Sequence, residues 1–156
     1  MNTIIEKFVN DKNVALIGVS QVKNKFGNQI LKELTKKGYT VFPVHPSLGE
    51  IEGIKCYPDV KALPVYVSNL ILIVRPEITE QIIPQLKGSP VKRVWMHKGV
   101  GAGSGSLAAI EASQKAGIET VHGFCPMMFL SPTGVHSFHF WLRKKFGKVP
   151  AGFVKF

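Results

Sequence analysis

Acidic residues are scarce in this chain: 10 Asp and Glu face 20 Lys and Arg, for a formal net charge of +10, and none of the acids lies beyond Glu119. Such an excess favours an anionic partner without choosing one, and part of it belongs to a surface, since Arg143, Lys144, Lys145, Lys148 and Lys155 crowd the acid-free end. Cysteine is scarcer still. Cys56 and Cys125 are the only two, which excludes a disulfide framework and fits a reducing compartment. Long apolar runs are missing too. The longest, "LILIV" at Leu70 to Val74, is far too short to span a bilayer, and the opening MNTIIEKFVNDKN mixes acids and amides into its apolar stretch, unlike a signal peptide. These absences lead to the expectation of a cytoplasmic protein with no membrane partner. There is no low-complexity tract, repeat or linker. With 156 residues the chain suits one domain with its own core and is too short for a catalytic domain plus a separate cofactor domain.

What is present is an alternation of strand-length apolar runs with helical patterns. Strands are expected at Asn13 to Val19, Tyr39 to Val44, Asn69 to Val74, Val91 to Met96 and Ile118 to His122. A helix from Phe26 to Lys37 carries Ile30, Leu31 and Leu34 on one stripe and stops at Gly38. A second runs from Glu77 to Lys87 after Pro76, kinked or shortened by Pro84, and a third, capped by Ser104 or Ser106, ends at Gly117. A short helix at Asp59 to Leu63 fits between. This rhythm predicts an α/β fold: a doubly wound, mainly parallel five-stranded Rossmann-like sheet, with its ligand at the carboxyl ends of the strands.

Three loops should meet at that edge. The first, Gly18 to Asn28, lacks G-x-G-x-x-G, yet it combines the backbone N–H groups of a helix start with Ser20, Lys23 and Lys25, a phosphate or pyrophosphate site of another design. The second follows strand two as Pro43-Val44-His45-Pro46-Ser47 and holds no carboxylate before Glu50. An NAD site usually ends this strand with an acid on the ribose, so a phosphorylated ribose fits better, which leaves NADP and coenzyme A open. The third, "HKGVGAGSGS", brings Gly99, Gly101, Gly103 and Gly105, a segment able to approach a ligand closely or a plain connector.

The order G-x-S…K-F-G-N, then G-Y-x-V-x-P-V-x-P, then a strand ending in "RPE", then "VW" with a glycine-rich loop, then "CP" resembles the stand-alone bacterial CoA-binding domain family. That family is akin to the N-terminal CoA-binding domain of the succinyl-CoA synthetase alpha subunit, and the resemblance covers roughly Asn13 to Pro126. It implies CoA or an acyl-CoA as the ligand. It also implies that Gly18, Ser20, Lys25 and Gly27 surround the CoA phosphates, with Pro43, Val44 and Pro46 along the adenosine. Arg75 and Pro76 then stand at the third strand's end, and His97, Lys98 and Gly99 near the pantetheine arm. Val19, Lys23, Phe26 and His45 complete the expected binding set.

The synthetases of this resemblance carry their phosphorylated histidine on a second domain that a chain of this length does not hold, and no nucleophile–base pair stands out. The expectation is therefore a CoA-binding protein with no catalytic residues of its own, a possible homodimer. The alternatives are an NADP-binding oxidoreductase-like domain, which would need an absent substrate half, and a basic nucleic-acid-binding domain, which would need an aromatic platform that only the tail offers. Residues 1–126 are expected to form the domain and 127–156 a C-terminal helical extension packed on it, with Val135, Phe138, Leu142 and Phe146 at helical spacing and Trp141 beside them. His122 with Cys125 and His136 with His139 have the spacing of zinc ligand pairs, but "CP" belongs to the family pattern without metal, so no metal is expected. Cys125, after strand five, is either a small packed residue or a thiol able to form a mixed disulfide with CoA.

Overall fold

The computed structural model describes residues 3–99 and 101–131. Along the chain lie α1 (Ile4–Asn10), β1 (Asn13–Ile17), α2 (Phe26–Lys36), β2 (Thr40–Val44), β3 (Glu50–Ile51), β4 (Ile54–Lys55), β5 (Asn69–Leu72), α3 (Pro76–Ile82), β6 (Arg93–Met96), α4 (Leu107–Lys115), β7 (Glu119–Val121) and α5 (Met127–Leu130). Five strands form one sheet in the order β2-β1-β5-β6-β7, every neighbouring pair parallel. The doubly wound α/β expectation holds. The tail stripe from Val135 to Phe146 and the pair His136 and His139 lie outside the described residues.

Strand periodicity builds two cores. Val14, Leu16, Ile71 and Trp95 face one side with Ile5, Phe8, Ile30, Leu31 and Leu34 of α1 and α2. Ala15, Leu70, Leu72, Val94 and Met96 face the other with Ile82, Ile83, Leu86 and Ala109. Successive side chains of a strand point to opposite faces, so unbroken runs such as Leu70 to Leu72 serve both cores at about 1.5–3 kcal/mol for each large side chain buried. Trp95 is fully buried. Its ring meets Phe8 edge-on at 5.3 Å and Phe129 at 5.6 Å, while Nε1 donates to the Phe124 carbonyl at 3.1 Å.

Several boundaries differ from expectation for local reasons. β1 stops at Ile17 rather than Val19 because Gly18 takes φ +131°. Helix α3 ends at Ile82 and continues as a 3-10 turn, Ile83–Leu86, since Pro84 cannot extend an α-helical ladder. Ser106 caps α4 through the Ala109 N–H, and Ser104 is used elsewhere. Two elements go beyond the sequence reading: α1, held by a capping box of Thr3 and Glu6, and the β3–β4 hairpin, whose turn places Glu52 and Gly53 at φ 52° and 76°; α5, packed in the first core, lies at the start of the segment expected to extend the domain from residue 127.

At the amino ends of the strands a polar network fastens α1 to the sheet. Arg93 donates from Nη2 to Ser68 and to Asp11, the latter at 3.4 Å, and from Nε to Asn69 Oδ1; Lys7 pairs with Glu119. No helix among the described residues is long and apolar enough to cross a membrane.

Candidate functional site

The order β2-β1-β5 makes the chain change direction at β1 and β5, and doubly wound sheets hold ligands in the crevice beyond that switch point. Backbones crowd there. A methyl group on Gly18 would lie 2.4 Å from the Ile73 carbonyl oxygen, and one on Gly27 would lie 2.0 Å from the Gly18 carbonyl oxygen. The glycine at each end of the first loop is thus explained by contact: the start of α2 rests directly on the end of β1.

Between these glycines the loop is held by a side chain not singled out from sequence. Asn28, 1 % exposed, accepts the Ser20 N–H at 2.9 Å and donates from Nδ2 to the Ser20 and Val22 carbonyls at 2.7 and 3.2 Å. Ser20 Oγ in turn accepts the Val22 N–H at 3.2 Å, keeping its own proton to donate. Lys23 and Lys25 project from the clipped loop, exposed and in none of the ion pairs among the described residues. Lys25 is the N-cap of α2 with no side-chain capping bond, and no acid stands in the first turn. The loop that follows β1 thus carries two exposed lysines and leads into the positive end of an eleven-residue helix.

Phe26, the first residue of α2, places its ring 4.9 Å from that of His97 and so joins the first loop to the third. In the third loop the Ser104 N–H donates to the His97 carbonyl at 2.7 Å, and its buried Oγ accepts the Val74 N–H at 3.1 Å. Gly103, at φ +80°, packs on the His97 carbonyl. Lys98 Nζ donates to the Gly101 and Ala102 carbonyls of its own loop. A cleft of about 350 Å³ opens here between Ile73, Val74, Arg75, His97, Gly99 and Ser104; Pro76 begins α3 behind Arg75.

The second loop is closed by the hairpin. The His45 N–H donates to the Tyr57 carbonyl at 2.9 Å and the Tyr57 N–H to that of Pro43 at 2.8 Å, while His45 Nδ1 accepts the Ser47 N–H at 3.2 Å. Pro46 is exposed, whereas Pro43, Val44 and Val19 are buried. No carboxylate stands at the end of β2; Glu52 is turned to Lys32 at 3.4 Å.

Cys125 is buried in the first core, and burial with the nearby Glu50 pushes the Cys56 thiol up. CoA disulfide should therefore leave both thiols unmodified in the folded protein, as intact mass will show; an adduct on Cys125 without denaturant would restore it as a reactive group. Among the described residues no three His, Cys, Asp or Glu side chains are placed to hold a metal ion.

A parallel sheet of this order, with an uncapped helix start and a basic loop over its switch point, defines a doubly wound domain of the kind that holds a nucleotide at its strand ends. The chain matches the CoA binding domain family over residues 12–131, and it belongs to that family. It is 35 % identical over 81 residues to the ADP-forming acetate–CoA ligase I of Archaeoglobus fulgidus, and 30 % identical over 92 residues to the alpha subunit of the ADP-forming acetate–CoA ligase II of Pyrococcus furiosus. The aligned parts are 52 % and 58 % of this chain but only 12 % and 20 % of those proteins. Among solved structures, a conserved hypothetical protein from Pyrococcus furiosus superposes with a TM-score of 0.66 at 36 % identity, covering 74 % of this chain and 96 % of that one. A hypothetical protein from Pyrococcus horikoshii gives 0.70 at 30 % identity, over 79 % and 84 %.

Proposed function

We propose that this domain binds CoA or an acyl-CoA along the carboxyl edge of its sheet and acts as a ligand-holding module, in the cytoplasm, without chemistry of its own. The ligand lies with its adenosine at His45 and Pro46, its phosphates over the first loop at Ser20, Lys23 and Lys25, and its pantetheine arm toward Arg75 and His97 to Gly99. The observation that carries the reading is the unpaired lysine pair above the uncapped start of α2, on a loop that Asn28 holds in shape. The missing carboxylate at the end of β2 supports CoA over NADH.

Calorimetry with CoA, dephospho-CoA, NADPH and NADH tests it. CoA should bind most tightly and NADH not measurably; equal affinity for NADH, or none for CoA, would overturn the assignment. Lys25→Ala should weaken CoA binding roughly ten- to a hundredfold through loss of a charge-assisted contact, and the deficit should shrink at high salt. The melting temperature should stay put, because the side chain is exposed. A variant that binds normally but melts early would place the phosphates elsewhere.

A further inference from the structure

Another cleft lies at the opposite edge of the sheet. About 940 Å³ in volume, it is bounded by the segment from Leu86 to Arg93, by the turn from Ala116 to Glu119 and by Lys7 of α1. Its accessible apolar side chains are Ala116 and the half-buried Ile118, beside the buried Leu86 and Val91, and its charge comes from Lys7, Lys87, Lys92 and Arg93 against Glu119 as the only acid. Lys7 and Arg93 are engaged with Glu119 and Asp11. Lys87 and Lys92, both exposed, enter no ion pair among the described residues.

We infer that this basal cleft is a docking surface for an acidic, partly apolar peptide segment of a partner protein, separate from the ligand edge. Apolar side chains between cationic ones match a chain that alternates acidic with apolar residues. A second copy would oppose lysine to lysine, and the chain's own end holds no acid after Glu119 to pair with these lysines. Nucleic acid is disfavoured because no aromatic ring of the described residues lines the cleft. A compact small anion finds two solvated lysines rather than a converging set of donors.

The test uses a fluorescein-labelled peptide of alternating glutamate and leucine, followed by anisotropy at low and moderate salt. Lys87→Glu combined with Lys92→Glu should weaken binding about tenfold or more, and Lys87→Gln with Lys92→Gln should weaken it less. The control pair Lys37→Glu with Lys61→Glu makes the same change in net charge at exposed lysines outside the cleft and should have a much smaller effect. Equal losses in both glutamate pairs would reduce the interaction to overall charge and overturn the proposal. Displacement of the peptide by saturating CoA would move it to the ligand edge, and displacement by an oligouridylate that binds more tightly would make the surface one for nucleic acid; either result overturns it.

Discussion

Gly27→Ala is expected to cost the domain roughly 3 kcal/mol or more, which for a chain of this size lowers the melting temperature by roughly 6–12 °C. A Cβ at this position would stand 2.0 Å from the Gly18 carbonyl oxygen and 2.5 Å from its carbon, both backbone atoms with no rotamer to change. Relief requires the start of α2 to lift from β1. But β1 is held from the other side, because Gly18 is itself packed on Ile73 and the Ile73 N–H donates to the Ile17 carbonyl at 2.8 Å. The displacement must therefore fall on the helix and the loop it carries, so CoA binding should fall with stability. Thermal denaturation by circular dichroism and calorimetry with CoA check both. A variant melting within a degree or two of the parent would show that α2 is loosely seated.

The second large effect is expected from Asn28→Asp. In the parent protein Nδ2 donates to the Ser20 and Val22 carbonyls, and a carboxylate of the same shape would turn an oxygen toward those two acceptors while burying a charge. Losing donors at a buried site costs about 1–3 kcal/mol, with more for the charge. Burial and the facing carbonyls raise the carboxyl's folded pKa above its unfolded value. The sign follows: the protonated acid, again a donor, keeps its contribution below the unfolded pKa and loses it as pH rises through the folded one. At neutral pH Asn28→Asp should be clearly less stable than the parent and bind CoA poorly, and the gap in both should narrow toward pH 5. A constant gap from pH 5 to 8 would mean that the side chain is solvated and that Asn28 does not clip the loop.

The sheet was legible because its strands are buried on both faces: runs such as Val14 to Leu16 and Leu70 to Val74 have no polar alternation to confuse with a helix. Pro84, Gly38 and Gly117 marked their boundaries through backbone chemistry alone. What escaped was set by contacts distant in sequence or by elements too short for periodicity. The β3 and β4 strands have two residues each. Asn28 reads as an ordinary first-turn residue until the loop six to eight residues before it folds back onto its amide, and Ser104 reads as a cap although its partner is Val74, 30 positions away. The glycines of the first loop entered only through the resemblance, as neighbours of the CoA phosphates; the structure adds that they let two backbones touch. Helix α1 did carry a signal, Thr3 followed by Glu6 ahead of an apolar pair repeat, hidden in a stretch weighed only as a leader.

The ring contact between Phe8 and Trp95 reaches across the family boundary, since likeness to the CoA binding domain begins at residue 12. A chain trimmed to that boundary would keep every strand and every loop of the ligand edge, yet it would leave one face of the buried indole open to water. Its emission should shift to the red and its unfolding should lose cooperativity. Where the recognisable domain starts and where the folding unit starts are thus different places in this protein.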